Sequence, residues 1–332
     1  MPTYKCTASC EHCGTLSHPR ETTWLPIEQM LKAIDEAADL GYNVVVFTGG
    51  EATLAGQNLL KGIERASSHG ITVRIVSNAH WATNDRMAER RIGEFVRAGL
   101  TEINLSTGDQ HARFVPLDNV IRAARAAVKA GLRAMIMVET VLERIITKEV
   151  VENHPEFQDI CNQFPSSKIN ILESPWMPLS PSTLNKYPDG VTVNRSNLAL
   201  CKGCDSILTT TTIQADGQIA ACCGLGMRKI PELKLDSIRE TKLATADQTA
   251  GEDFLKRWLR VEGPERILAW ASDHKSNIEW ENMYAHRCQA CMRIYTDPEV
   301  REVIAKHHKE KIADVLLSEW LMFHYNPLAQ VN

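Results

Sequence analysis

Cys6-Thr7-Ala8-Ser9-Cys10-Glu11-His12-Cys13 stands almost at the start of this 332-residue chain. Its C-x3-C-x2-C spacing is the most informative feature in the sequence. Three thiolates on one short loop can hold three irons of a cubane iron–sulfur cluster. Such clusters are ordinarily held by four cysteine thiolates, so a three-cysteine loop leaves one iron open and points to chemistry there rather than to electron storage. A disulfide would leave one cysteine over, and no secretory signal favours oxidation. Zinc usually takes four ligands. His12 lies between Cys10 and Cys13, where its ring would struggle to reach the same ion.

Outward from this loop, a helical run leads to the apolar strand Val44–Phe47, which ends in Thr48-Gly49-Gly50-Glu51. The pairing of C-x3-C-x2-C with a later Gly-Gly-Glu resembles the radical S-adenosylmethionine (radical SAM) superfamily. The resemblance implies a 4Fe-4S cluster whose open iron is chelated by SAM. One electron then cleaves SAM to methionine and a 5′-deoxyadenosyl radical, which takes a hydrogen atom from the substrate. Carried onto this chain, Cys6, Cys10 and Cys13 are the cluster ligands. Gly49, Gly50 and Glu51 receive the methionyl amino group. Two glycines permit close approach of the backbone, and a carboxylate accepts from an ammonium. The chain departs from the family pattern in having Ala52 where Pro is usual and His12 where an aromatic residue is frequent.

With 44% hydrophobic residues the chain can bury a sizeable core. A net charge of −4 gives no general reason to bind nucleic acid. No apolar stretch approaches the ~20 residues of a membrane span. No targeting segment is evident, so the chain reads as cytoplasmic. Ten cysteines then point to metal or redox work more than to a disulfide framework.

The expected fold class is α/β. Strands are expected at Val44–Phe47, Ile71–Val76, Glu102–Leu105, Arg133–Val138 and Lys168–Leu172. Helices are expected at Pro26–Leu40, Leu59–Ser68, from a Thr83 or Asn84 cap to Ala98, at Leu117–Ala130, and between Lys148 and Phe164. Strands alternating with helices of 10–15 residues argue for a parallel sheet. Counting a short strand beside the cysteine loop, six such strands match the partial (β/α)6 barrel of radical SAM enzymes. Active sites of parallel barrels lie at the carboxyl ends of the strands. One mouth should therefore gather Gly49–Glu51, Ser77–Trp81, Ser106–His111, Glu139 and Glu173–Trp176. Ser77, Asn78, Ser106, Asp109 and Glu139 are candidates to hydrogen-bond SAM.

From about Ser180 the pattern changes. Pro181, Pro188 and Gly190 make a linker-like stretch. A β-rich run, Ile207–Ile213, turns at Ala215-Asp216-Gly217 toward Cys222, a hairpin signal. After Pro231 the chain reads as helical, and Glu299–Phe323 as one or two amphipathic helices. Expected domains are a barrel over 1–180, a hairpin-plus-helix auxiliary domain over 181–295, and C-terminal helices over 296–332. Cys204-x12-Gly217-x4-Cys222 followed by Cys288-x2-Cys291 resembles the twitch form of the SPASM extension. That likeness implies one auxiliary 4Fe-4S cluster on Cys204, Cys222, Cys288 and Cys291. Cys201 could replace Cys204, and Cys201 and Cys223 are otherwise spare or alternative ligands. A zinc ribbon built from the two C-x2-C pairs is the competing reading. Cys161, alone in a helix, reads as a small core residue. His307-His308 reads as a solvated face. Trp258, Trp270, Trp280 and Trp320 read as packing groups. Tyr284 and Tyr295 read as packing or as a hydrogen donor.

The expected function is a radical SAM oxidoreductase that makes a net oxidative modification of a peptide side chain, a cross-link or a dehydrogenation. It would use a flavodoxin- or ferredoxin-type reductant. With no room for a leader-binding segment ahead of the barrel, a separate leader-peptide-binding protein is a possible partner. The alternative is a dehydrogenase or epimerase of a small molecule such as an aminosugar. A non-enzymatic two-cluster electron carrier would explain the cysteines but not Gly-Gly-Glu. A zinc-stabilised binding protein is the third class.

Overall fold

The computed structural model describes residues 1–179 and 185–325. The chain divides into two compact units, Met1–Trp176 with Gln214–Gly217, and Met177–Ile213 with Gln218–Asn332. The expected boundary near 180, with Ser180 and Pro181, lies outside the described residues.

The first unit is built on five parallel strands in sequential order: β1 (Val44–Phe47), β2 (Thr72–Ser77), β3 (Glu102–Thr107), β4 (Arg133–Thr140) and β5 (Ile169–Pro175). The crossovers carry α2 (Gln57–Ser68), α3 (Asp85–Ala98), the short α4 (Asp109–Ala112), α5 (Leu117–Lys129), α6 (Lys148–Glu152) and α7 (Pro155–Gln163), while α1 (Ile27–Asp39) precedes β1. The local signals act as their chemistry dictates. The Asn84 side chain accepts from Met87 N at the start of α3, and α3 ends at Gly99 with φ +104°.

Successive residues of a strand face opposite sides of the sheet. Val73, Ile75, Ile103, Leu105, Ala134, Ile136 and Val138 are buried. They share a face with one another through the registers Ile75↔Ile103, Leu105↔Ile136 and Ile103↔Ala134. The alternate face carries Val44, Val46, Asn104, Ser106, Met135, Met137 and Leu172, which are exposed or half-exposed.

The short strand expected beside the cysteine loop does not join the sheet. Thr3 and Lys5 make isolated bridges to Trp24 and His18. Their carbonyls accept instead from Gly50 N at 2.9 Å and Glu51 N at 2.8 Å. Cys161 is exposed, contrary to its expected place in the core. Helix α7 buries Phe157 and Ile160, and Cys161 lies off that face.

In the second unit β6 (Thr212–Ile213), β7 (Gln218–Ala220) and β8 (Lys234–Ser237) form an antiparallel sheet. The hairpin turns at Gly217, whose φ of +85° suits glycine. Two expectations fail here. Residues 207–211 are turn and irregular chain, because Leu208 holds φ +61°, which no strand tolerates. The stretch after Pro231 becomes β8 before helices resume, pairing through Gln218↔Ser237 and Ile219↔Asp236. The helices are α8 (Leu243–Glu252), α9 (Phe254–Val261), α10 (Pro264–His274), α11 (Arg287–Thr296), α12 (Pro298–His307) and α13 (Ile312–Tyr325). Trp258, Trp280, Tyr284 and Tyr295 are buried, whereas Trp320 is 48% exposed and stacks on His324. No helix among the described residues is long and apolar enough to cross a membrane.

Candidate functional site

Gly49 and Gly50 are glycines because the cysteine-bearing segment lies directly against them. A Cβ on Gly50 would fall 2.7 Å from Tyr4 O, and one on Gly49 would fall 2.6 Å from Thr3 O. The close approach read from the sequence is thus made by the protein's own backbone. Gly49 O also accepts from Thr15 Oγ1 at 3.0 Å, and Thr15 Oγ1 lies 3.3 Å from Cys13 Sγ.

Glu51 is 1% exposed. Its Oε1 accepts from Thr53 N at 3.2 Å, Thr53 Oγ1 at 2.6 Å and Ser77 Oγ at 2.9 Å. Its Oε2 accepts from Asn78 N at 2.8 Å. The carboxylate ties the end of β1 to the end of β2. Ser77 Oγ also accepts from Ala79 N at 3.1 Å and Trp81 Nε1 at 3.0 Å. A hydroxyl has one donor and two lone pairs, so Ser77 has no capacity left for the SAM contact expected of it. Asn78 Nδ2 donates to Thr7 Oγ1 at 3.0 Å and to Cys6 Sγ at 3.6 Å, which docks the cysteine loop on the end of β2. His80 Nδ1 lies 3.2 Å from Asn78 Oδ1, and burial lowers its pKa.

Asp109 was also expected to meet SAM. Its two carboxylate oxygens accept from Ile145 N at 2.8 Å and Ile146 N at 2.7 Å, so it holds the loop after β4. Glu139, at the end of β4, pairs through Oε1 with His111 Nδ1, its carboxylate is further favoured by the Gln110 backbone, and its buried Oε2 meets no hydrogen-bond partner among the described residues. Burial raises the Glu139 carboxyl. Gly108 fits here because a Cβ would meet Glu139 Oε2 at 2.5 Å. Ser106 is half-buried, its register partner being Met137. Trp176 stands edge-on to both His12 and His111, with centroids 5.9 and 6.1 Å away. The sequence puts His111 and Trp176 at one mouth; what it misses is their edge-on packing together with His12. The two histidines are 65 or more positions from Trp176 in sequence, and no spacing rule links them.

The three thiols of the loop are brought together. Burial pushes Cys6 up to about 11, with Glu51 and Cys13 adding to it. Burial, then Glu139, Cys13 and Cys6, push Cys10 up to about 12. Three thiols on one loop are a donor set that fits an iron–sulfur core, whose positive charge would offset the thiolates. The donor set therefore suits a cluster.

A second thiol group lines a cavity of about 400 Å³ in the second unit: Cys204, Cys222, Cys223, Cys288 and Cys291. Burial raises Cys222 to about 12, with Cys223 and Cys204 adding to it. Burial also raises Cys288 and Cys291, and Cys222 and Cys204 contribute to both. A Cβ on Gly224 would lie 3.3 Å from Cys288 Sγ and 3.4 Å from Cys222 Sγ, so a small residue keeps the space between these sulfurs free. Cys223 is exposed. Cys201 lines a different depression, with Lys202, Gly203 and Arg266. The geometry gathers Cys204 rather than Cys201 with the other three.

Residues 1–157 match the Radical SAM superfamily. The chain is 24% identical over 311 residues to the "Putative peptide biosynthesis protein YydG" of Bacillus subtilis (strain 168), covering 89% of this chain and 90% of that protein. It is 28% identical over 105 residues to PqqA peptide cyclase of Bradyrhizobium diazoefficiens, 31% of this chain and 26% of that one. It is 22% identical over 176 residues to GTP 3′,8-cyclase of Clostridium botulinum, where it spans about half of each chain, 50% and 52%. Against the solved structure of methylornithine synthase (PylB) the TM-score is 0.37 at 14% identity, covering 53% of this chain and 52% of that one.

Proposed function

We propose that this chain is a radical SAM enzyme that oxidatively modifies a peptide side chain. The observation that carries the reading is the gathering of Cys6, Cys10 and Cys13 at the carboxyl edge of a parallel sheet, docked there by Asn78 and by the glycines at 49 and 50. A cluster held by these three thiols would supply the electron that cleaves SAM to methionine and a 5′-deoxyadenosyl radical, and one held by Cys204, Cys222, Cys288 and Cys291 would accept the electron that the substrate gives up, with a proton lost to solvent, after losing a hydrogen atom. Glu51 positions the loop by fastening Asn78. Glu139, whose Oε2 meets no hydrogen-bond partner among the described residues, and Ser106 are candidates to meet SAM. His12, His111 and Trp176 form an aromatic wall beside Cys10 that shields a radical. The peptide is favoured as substrate because YydG, matched over most of both chains, is described by a role in peptide biosynthesis and PqqA cyclase by action on a peptide.

The test is anaerobic reconstitution followed by SAM and a strong reductant. The wild type should release 5′-deoxyadenosine, and the Cys6→Ala, Cys10→Ala, Cys13→Ala triple variant should not. Equal behaviour of the two would refute the reading. With a candidate peptide, mass spectrometry should find a loss of two hydrogens mapped to a side chain. 5′-Deoxyadenosine with an unchanged peptide, but with an oxidised aminosugar, would move the substrate to the small-molecule class.

A further inference from the structure

His274 is the last residue of α10, and His307 is the last residue of α12. Glu310 follows in a 3-10 turn, His308–Lys311. One ligating atom from each of the three lies within 4.8 Å of the other two. His274 Nε2 is 2.6 Å from Glu310 Oε1, and Trp270 Nε1 donates to the same oxygen at 2.7 Å, which fixes the carboxylate. The rings of His274 and His307 stack with centroids 4.3 Å apart and planes 22° apart. A His–Glu hydrogen bond needs only one imidazole. The second brings a third donor atom within 4.8 Å of the other two, and its ring must turn out of the stack for both imidazole nitrogens to face one ion. Both histidines close their helices, where the partial negative charge of the final carbonyls favours a cation.

We infer that His274, His307 and Glu310 form a binding site for a borderline divalent transition-metal ion, zinc(II) by preference. Two imidazoles and one carboxylate are donors that suit zinc and disfavour magnesium or calcium, which take oxygen ligands. Zinc bonds of about 2.0–2.2 Å place tetrahedral donors about 3.3 Å apart. The ion would replace the proton between His274 and Glu310, spreading that pair by under about 1 Å, drawing the widest pair in by at most about 1.5 Å and turning the His307 ring off His274. Glu310 is exposed, its side chain 48% accessible, so solvent reaches the site and water completes the coordination. An ion there would clamp the ends of α10 and α12 to the following turn. None of the cysteines takes part, so the site is independent of the iron–sulfur reading.

The cluster-loaded protein would be titrated anaerobically with zinc chloride against a competing chelator. Zinc and iron would be counted per chain for the wild type, His307→Ala and Glu310→Gln. The wild type should hold one more zinc than either variant at unchanged iron. Its unfolding midpoint should rise with zinc, as it must for a ligand that binds only the folded state, and the rise should vanish in both variants. Glu310→Gln should bind at least tenfold more weakly, and as a near-isosteric change at an exposed residue it covers the case in which His307→Ala misfolds. Equal zinc in all three proteins, or zinc gained only as iron is lost, would overturn the site, since the latter places the zinc on thiols.

Discussion

Gly50→Ala is the substitution that most directly tests how the cysteine loop is held. A Cβ at this position would lie 2.5 Å from Lys5 C and 2.7 Å from Tyr4 O, with Lys5 O closer still. Non-bonded carbon atoms rest about 3.5–4.0 Å apart, so residues 3–5 must retreat by about 1 Å. The bonds from Gly50 N to Thr3 O and from Glu51 N to Lys5 O, now 2.9 and 2.8 Å, then stretch to about 4 Å, beyond hydrogen-bonding range. Two such bonds contribute about 1 kcal/mol each, and overpacking against backbone adds about 1–3 kcal/mol. The local loss is about 3–5 kcal/mol. Gly50 does not hold a left-handed φ, so the effect is steric rather than conformational. Cys6 follows this segment directly and should be displaced with it. Hydrogen exchange of residues 1–25, iron per chain and 5′-deoxyadenosine yield would be measured together. Exchange should quicken, iron should fall, and SAM cleavage should be lost. Gly251→Ala, with no atom within 4 Å of the new Cβ and a place inside α8, should be neutral or stabilising by up to about 1 kcal/mol. Wild-type exchange, iron and cleavage in Gly50→Ala would refute the account of the glycine pair.

Glu51→Gln sets an amide donor against groups that all donate, and should cost about 2–4 kcal/mol; an unchanged unfolding midpoint would remove Glu51 from the joint between β1 and β2. Cys291→Ser should lose the auxiliary iron, about four atoms per chain, while Cys201→Ser keeps it; equal loss in both would reassign the ligands. Asp109→Asn keeps one neutral acceptor and sets an amide NH2 against the other of Ile145 N and Ile146 N, costing about 1–3 kcal/mol. Hydrogen exchange at residues 145 and 146 should quicken while the rest of the sheet stays protected, and no local change would mean that the loop is held otherwise.

The parallel sheet was legible because each strand is a short β-branched run and each helix carries its own stop signal, such as the glycines at 41, 99 and 131. The cysteine loop and Gly-Gly-Glu were legible as local spacings. What stayed hidden was who satisfies whom. Ser77 and Asp109 sit at strand ends as expected, yet their polar atoms are spent on the protein itself. Strand-end position says where a side chain starts, not which donors reach it first. In the second unit a β-rich composition over 207–211 was defeated by one residue, Leu208, at positive φ. The stacking of His274 on His307 joins two helices 33 positions apart, and neither helix's own pattern shows the partner.

The two thiol groups differ in a way that bears on the division of labour between them. In the first, three cysteines are half-exposed, and the protein groups around them hold the loop without offering a fourth thiol. A carboxylate with a spare oxygen, Glu139, stands beside Cys10 instead. In the second, Cys204, Cys222, Cys288 and Cys291 line one cavity, where burial and the neighbouring sulfurs raise Cys222, Cys288 and Cys291 and buried Lys256 acts to lower Cys222. Four thiols saturate a cubane, and three do not. An incomplete set with polar neighbours suits a site where a ligand must bind. A complete set without a vacant position suits electron transfer alone. If that division is right, removing Cys291 should impair turnover of the peptide while leaving reductive cleavage of SAM in place, whereas removing Cys10 should abolish both. Loss of SAM cleavage in Cys291→Ser, with the iron on the first loop intact, would show that the second set does more than carry electrons.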